Sequence, residues 1–269
     1  MAEAIDPVPL WLIALLLFAA MIVAREFGGW VHRKVAGMRD GTAEDGVDKG
    51  FILTGMLGLL ALLTAFTFSL ALDRFEERRT MVVTEANAIG TAEMRVRFLP
   101  APHDARLAAV LQDYARTRLA YGQSNSDGKR VLMPKAAAQR SEIQAATLAA
   151  IAPEARNSLG MLVAPAINDV LDIGAAREAL NASRIPSTIL VALVAYNMLT
   201  AAMMGYALTG ARARQRPATI MLFVLFALAI VLILDLDRPQ RGTIRIDQTP
   251  MQQLVDGFAP LPAPQASLR

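Results

Sequence analysis

The chain has no cysteine and only two histidines, His32 and His103, which lie in separate segments. The first absence excludes disulfides, thiolate-held clusters and thiol nucleophiles. The second leaves no histidine pair to hold a metal. There is no G-x-S-x-G elbow and no P-loop with its terminal lysine, so the common hydrolase and nucleotide signatures are missing. Aromatic residues are sparse at 6%, and no basic stripe interleaves with them, which excludes a nucleic-acid partner. Charge of either sign is absent from four stretches: Leu10–Ala24, Phe51–Leu72, Ile185–Ala211 and Ala218–Leu234. The chain as a whole is 54% hydrophobic with a net charge of +3 and a mean hydropathy of +0.37, so its apolar excess sits in those stretches.

A helix needs roughly 20 apolar residues to cross the hydrocarbon core of a bilayer. Backbone polar groups there must be satisfied within the segment, so the runs are read as helices. The expectation is an all-α membrane protein with four transmembrane helices. The spans fall at 7–24, 51–72, 185–211 and 218–234. A short basic loop, 25–50, joins the first pair, and another, 212–217, joins the second. A helical extramembrane domain occupies 73–184, between the second and third spans. A polar tail, 235–269, ends in a disordered segment rich in proline. The first run reads as a retained anchor: residues 1–9 carry Glu3 and Asp6 but no Lys or Arg, and Arg25-Glu26 makes a poor cleavage context. Basic residues in both short loops place those loops in the cytoplasm, and hence the helical domain outside.

No proline falls between Phe51 and Pro100, so the second span is expected to run on as a helix toward Phe98, with a kink near Gly90. Asp104–Tyr121 is amphipathic, with Leu107, Val110, Leu111, Tyr114 and Leu119 on one side and Arg118 assigned to the polar one. Residues 122–129 read as a turn. A helix follows over 134–152, with Ser141 as a plausible start. Residues 154–180 read as helix interrupted at Pro165 and Gly174. Thr249-Pro250 marks the start of a short helix.

Four groups of residues are candidates for function. Gly58, Leu62 and Phe66 are spaced i, i+4, i+8 and share a helical stripe. Repeated around a symmetry axis, that stripe would form a narrow apolar ring able to gate by dewetting. Ordinary packing between spans explains the same pattern equally well. The segment Arg74–Arg79, with Arg74, Phe75 and Arg78, stands where the helix leaves the membrane and would tune a domain mouth or assembly. Asp169 and Asp172, at i and i+3, would present two carboxylates on one face, as either an ion site or a solvated surface. Asp235 and Asp237 would be either a small cation site at the membrane edge or an anchor for the end of the fourth span. No other metal site and no cofactor is expected.

The stretch from Leu53 to Pro100, LTGMLGLLALLTAFTFSLALDRFEERRTMVVTEANAIGTAEMRVRFLP, resembles the bacterial bestrophin-like proteins, a family whose shared domain is labelled only as one of unknown function. INDVLDIGAARE, RIPSTI, GYALTG and DLDRPQRGTIRI resemble it too, and together these pieces cover most of residues 50–250. A more distant similarity extends to the bestrophins, which are pentameric anion channels with a neck of apolar side chains from their second spans. Arg74-Phe75 stands where bestrophins carry an Arg-aromatic pair, and Pro186 matches the proline before their third span. The resemblance implies a homo-oligomer, a pentamer, in the bacterial inner membrane, with Gly58, Leu62 and Phe66 at neck-like positions. It also implies small ions, anions first, as the partners besides the lipid bilayer. Gly58 departs from the bulky neck residue, and Asp235 and Asp237 are too sparse for the acidic calcium clasp of animal bestrophins. The family orientation puts the helical domain in the cytoplasm, opposite to the charge count.

The expected function is therefore an oligomeric ion channel and not an enzyme. The alternative is a non-conducting membrane sensor or scaffold whose helical domain binds a ligand or partner. No ionisable residue interrupts any of the four runs, which argues against coupled transport.

Overall fold

The computed structural model describes residues 8–36, 44–151, 158–209, 216–238 and 242–258. Eight helices occupy them: α1 (Leu10–Ala36), α2 (Glu44–Val96), α3 (His103–Gln123), α4 (Ser126–Ile151), α5 (Ser158–Ala182), α6 (Ser187–Leu208), α7 (Arg216–Asp237) and α8 (Thr249–Asp256). Among the described residues there is no strand. Four helical stretches are long and apolar enough to cross a membrane: Leu10–Val35, Gly50–Val96, Leu159–Leu208 and Arg216–Asp237. Within the third of these the chain leaves helix at 183–186, just before α6. The chain is thus an all-α, multi-pass membrane protein with a helical domain between its second and third spans.

The chain divides into two compact units. One comprises Met1–Arg74 and Arg184–Ile244; the other comprises Phe75–Ser183 and Arg245–Arg269. Helix α2 contributes its first part to the first unit and its last part to the second.

In the first unit α1 packs mainly on α6 and secondarily on α7. Met21, Ala201, Met204, Phe223 and Ala227 form its buried core. Small residues set the α1–α6 approach: a Cβ on Gly28 would overlap the Ala202 carbonyl, and one on Gly205 would overlap the Arg25 carbonyl. Lipid offers no hydrophobic drive between helices, so such backbone-to-backbone proximity supplies the dispersion that holds them. The loop expected at 25–50 is corrected here. Helix α1 continues to Ala36 because Gly28 and Gly29 act as packing surface on α6 and not as breakers. Helix α2 is already formed at Glu44. Residues 37–43 lie outside the described residues, as do most of the loop 212–217 and the tail from 259.

In the second unit Val82, Ile89, Leu107, Leu111, Tyr114, Ile143, Ile167 and Met251 belong to one core. Each large side chain so buried contributes roughly 1.5–3 kcal/mol. Gly90 marks close packing: a Cβ there would stand 3.0 Å from Leu254 Cδ1 of α8. The turn at 122–129 shrinks to Ser124 and Asn125, because the Asn125 side chain accepts the Gly128 N–H at 2.9 Å and starts α4. Ser141 is therefore mid-helix, donating to the Ala137 carbonyl at 3.3 Å. Pro134 and Pro165 both lie inside helices, each forgoing one backbone bond. Gly174 does not interrupt α5; it makes room for Tyr114, whose Oη a Cβ would overlap.

Candidate functional site

Helix α2 shows two faces. Leu60, Thr67 and Ala71 are buried against its own unit, and Leu60 is fully so at 0% exposure. Among the described residues nothing covers the opposite face. Leu62 is 51% and Phe66 is 66% exposed, and a Cβ on Gly55 or Gly58 would meet nothing within 4 Å. Three hydroxyls of this run are spent locally: Thr54, Thr64 and Thr67 donate to the Gly50, Leu60 and Leu63 carbonyls at 2.8–2.9 Å. The uncovered stripe therefore offers mainly apolar surface and small residues, with the exposed Ser69 about 20° from Leu62 as its one further hydroxyl among the described residues.

At about 100° per residue, Asp73 and Glu77 return to within about 20° of Leu62 and Phe66, and Glu76 to that of Gly58. All three carboxylates are exposed. Arg74 turns away by about 80° from Phe66 and is half-buried, as is Phe75. Arg78 is turned by about 120° and is buried. The cations expected at the mouth thus lie off the stripe, and the acidic residues between them continue it. Arg79, paired with Glu76 at 3.5 Å, keeps an exposed positive charge nearby.

Asp235 and Asp237 are both buried. Asp235 accepts the N–H of Thr243 at 2.7 Å and of Ile244 at 3.4 Å. Asp237 accepts the Ile185 N–H at 2.9 Å, and its carbonyl takes Arg184 Nη1 at 3.0 Å. The two carboxylates hold the chain at the end of α7 and the start of α6. Among the described residues no group of three or more metal-binding side chains occurs. Asp169 and Asp172 are exposed on α5. An apolar cavity of about 310 Å³ between α1, α6 and α7, lined by Leu17, Leu190, Val194 and Ile230, presents almost no polar group to orient a ligand.

The second unit contains a buried chain of alternating charges. Arg118 is 0% exposed; its Nε donates to Glu85 Oε1 at 2.6 Å and its Nη1 to Glu178 Oε1 at 2.7 Å. Arg177 also pairs with Glu85, and it donates to Gln248 Oε1 at 2.8 Å. Arg140 reaches Glu178 at 2.7 Å. Burial alone would lower the Arg118 pKa, but Glu85, Tyr114 and Glu178 together push it above its ordinary value. Burial raises the Tyr114 and Tyr121 phenols. At the end of this chain Lys129 is buried, and burial followed by the charges of Arg177 and Arg118 lowers its ammonium to about 7.

Sequence reasoning missed this network by assigning Arg118 to the polar side of α3. The signal was present: Arg118 lies seven residues after Leu111 and four after Tyr114, on the apolar stripe. Arg177 likewise follows Val163 and Val170 at seven-residue steps, and Glu85 stands between Val82 and Ile89. A charged residue in register with a core stripe needs a buried partner.

The sequence profile of the bestrophin-like domain matches residues 16–251. Among curated proteins none matches. Solved structures similar to this chain include a bacterial bestrophin homologue from Klebsiella pneumoniae phased on zinc, 18% identical, with a TM-score of 0.60 over 92% of this chain and 98% of that one. Two single-substitution variants of a bestrophin homologue from the same organism, each 19% identical, give TM-scores of 0.59 and 0.61 over 91% and 92% of this chain and 97% and 96% of theirs. At that identity the structures establish a shared fold, and the domain match over most of the sequence establishes kinship: the chain belongs to the bestrophin-like family.

Proposed function

We propose that copies of this chain assemble into a closed ring in which α2 lines an ion pathway, with Gly58, Leu62 and Phe66 forming an apolar neck. The observation that carries this reading is the uncovered face of α2, apolar through the membrane and opposite the face packed on its own unit. A single chain with four spans and no intramembrane charge encloses no pathway, so the ring is part of the proposal, and five subunits follow from the resemblance to bestrophins. A ring of phenyl groups excludes water and sets a barrier to ions that widening would lower.

The sign of the ion divides two lines of support. The resemblance to anion channels favours anions. The carboxylates of Asp73, Glu76 and Glu77, which continue the stripe where α2 leaves its apolar run, favour cations, since acidic rings attract cations electrostatically. We give the local charge the greater weight, because it lies on the face that the pathway would use. The rival is a scaffold in which the same face is only an assembly surface. Liposomes containing the purified protein test both points. A symmetric oligomer by native mass, with K⁺ flux exceeding Cl⁻ flux, supports the reading. A Cl⁻ preference returns the ion to the bestrophin pattern, and an intact oligomer with no flux of either supports the scaffold.

A further inference from the structure

Lys129 opens the first turn of α4, fixed there by its N–H bond to the Asn125 carbonyl at 3.0 Å. Its side chain is unusual for a lysine: the residue is 7% exposed, and among the described residues no carboxylate pairs with it. Its Nζ stands 4.6 Å from the centre of the Tyr121 ring, and the Arg118 guanidinium is 4.9 Å from the same centre. The charged groups around it are already committed. From α3 comes Arg118, and from α5 come Arg177 and Glu178. Glu178 is shared between Arg118 and Arg140, and Glu85 of α2 between Arg118 and Arg177. On its own helix Asp127 and Arg130 are exposed. Arg118, Arg140 and Arg177 thus face Glu85 and Glu178, a surplus of one positive charge before Lys129 is counted. A protonated Lys129 would double that surplus in a place from which water is largely excluded.

We propose that Lys129 is a proton switch in the helical domain: neutral, it packs against Tyr121; protonated, it is driven outward from Arg118 and Arg177 and loosens the first turn of α4. Its shifted ammonium, at about 7, sets the switch near neutral pH. The sign follows from the depressed value. Above the ordinary 10.5 neither the folded nor the unfolded chain holds the proton; between 10.5 and 7 only the unfolded chain does. Stability from this group is therefore fully present above 10.5, falls as pH falls through that window, and is gone once pH drops below about 7. Tyr114 and Tyr121, raised by burial, remain neutral throughout. The output rests on reading α2 as the pathway helix: Glu85, which clamps Arg118 and Arg177, stands on the helix that carries Gly58, Leu62 and Phe66.

The test is amide hydrogen exchange over residues 124–131 of the intact protein at pH 6 and pH 8, corrected for intrinsic rates, with ion flux measured in parallel. Wild type should lose about tenfold in protection between pH 8 and pH 6, most of it above the group's value of about 7. Lys129→Met, fixed neutral, should stay protected at both pH values, and Lys129→Arg, fixed charged, should be unprotected at both. Wild-type protection that ignores pH, or a Lys129→Met protein that keeps the wild-type pH response, overturns the switch. If protection switches while a measurable flux does not, the output is wrong and the switch stands. If no variant conducts at any pH, the pathway reading fails on its own, and exchange still decides the switch.

Discussion

Replacing Arg118 by Met tests how much the buried charge chain holds the helical domain together. Methionine keeps the length and most of the volume of the side chain, so the packing against Tyr114 and Tyr121 survives while the charge is lost. Two ion pairs disappear, at 2.6 Å to Glu85 and 2.7 Å to Glu178. Neither carboxylate is orphaned, because Arg177 remains beside Glu85 and Arg140 beside Glu178. Glu85 is the more damaged: it is wholly buried and its Oε1 loses its donor. Breaking a buried pair costs about 3–5 kcal/mol, and the surviving partners place this case near 3. For a unit of this size that corresponds to a fall of about 10 °C in melting temperature. Scanning calorimetry of the purified protein measures it. A double-mutant cycle with Glu85→Gln should show a coupling above about 1 kcal/mol, since the two residues share one bond. An Arg118→Met protein melting within about 3 °C of wild type would refute the claim that these pairs hold α3 to α2 and α5.

Two further predictions concern the membrane unit. Gly28→Val and Gly205→Val should each force α1 and α6 apart, costing at least about 1–3 kcal/mol and lowering the yield of folded oligomer on size-exclusion chromatography, whereas Gly55→Ala, at an open position, should not. Phe66→Ala should raise ion flux in liposomes with little change in melting temperature, because Phe66 is exposed. Phe223→Ala, in the core of the same unit, should instead lower stability by about 3–5 kcal/mol and leave the flux per folded oligomer unchanged.

The spans and the long second helix were legible because apolar length and the absence of proline report directly on helix in lipid. The ends of elements were less so. Glycine at 28 and 29 and proline at 134 and 165 read locally as breakers, yet close packing of neighbouring helices turns the glycines into contact surface and the surrounding helix tolerates the prolines. The three positions 58, 62 and 66 were visible as a stripe, but their exposure is a tertiary property that periodicity does not encode. Arg74 and Arg78 were singled out by their place where α2 leaves its apolar run and, for Arg74, by the resemblance to an Arg-aromatic pair; counting rotation along α2 adds Asp73, Glu76 and Glu77 on the uncovered face. The roles of Asp235 and Asp237 depend on backbone N–H groups of Ile185, Thr243 and Ile244, partners that no residue pattern announces. The Glu85–Arg118–Arg177 chain was within reach of the heptad spacing and was hidden by treating arginine as a surface residue by default.

The central claim is that α2 turns its uncovered face toward an ion pathway. With no native cysteine, single cysteines at Phe66 and Leu60 give labels free of background. Flux through reconstituted oligomers is then measured before and after a small charged thiol reagent. The account predicts that modification at position 66 changes flux several-fold while position 60, on the buried face, is unaffected. Modification at position 66 that leaves a measurable flux unchanged would contradict it.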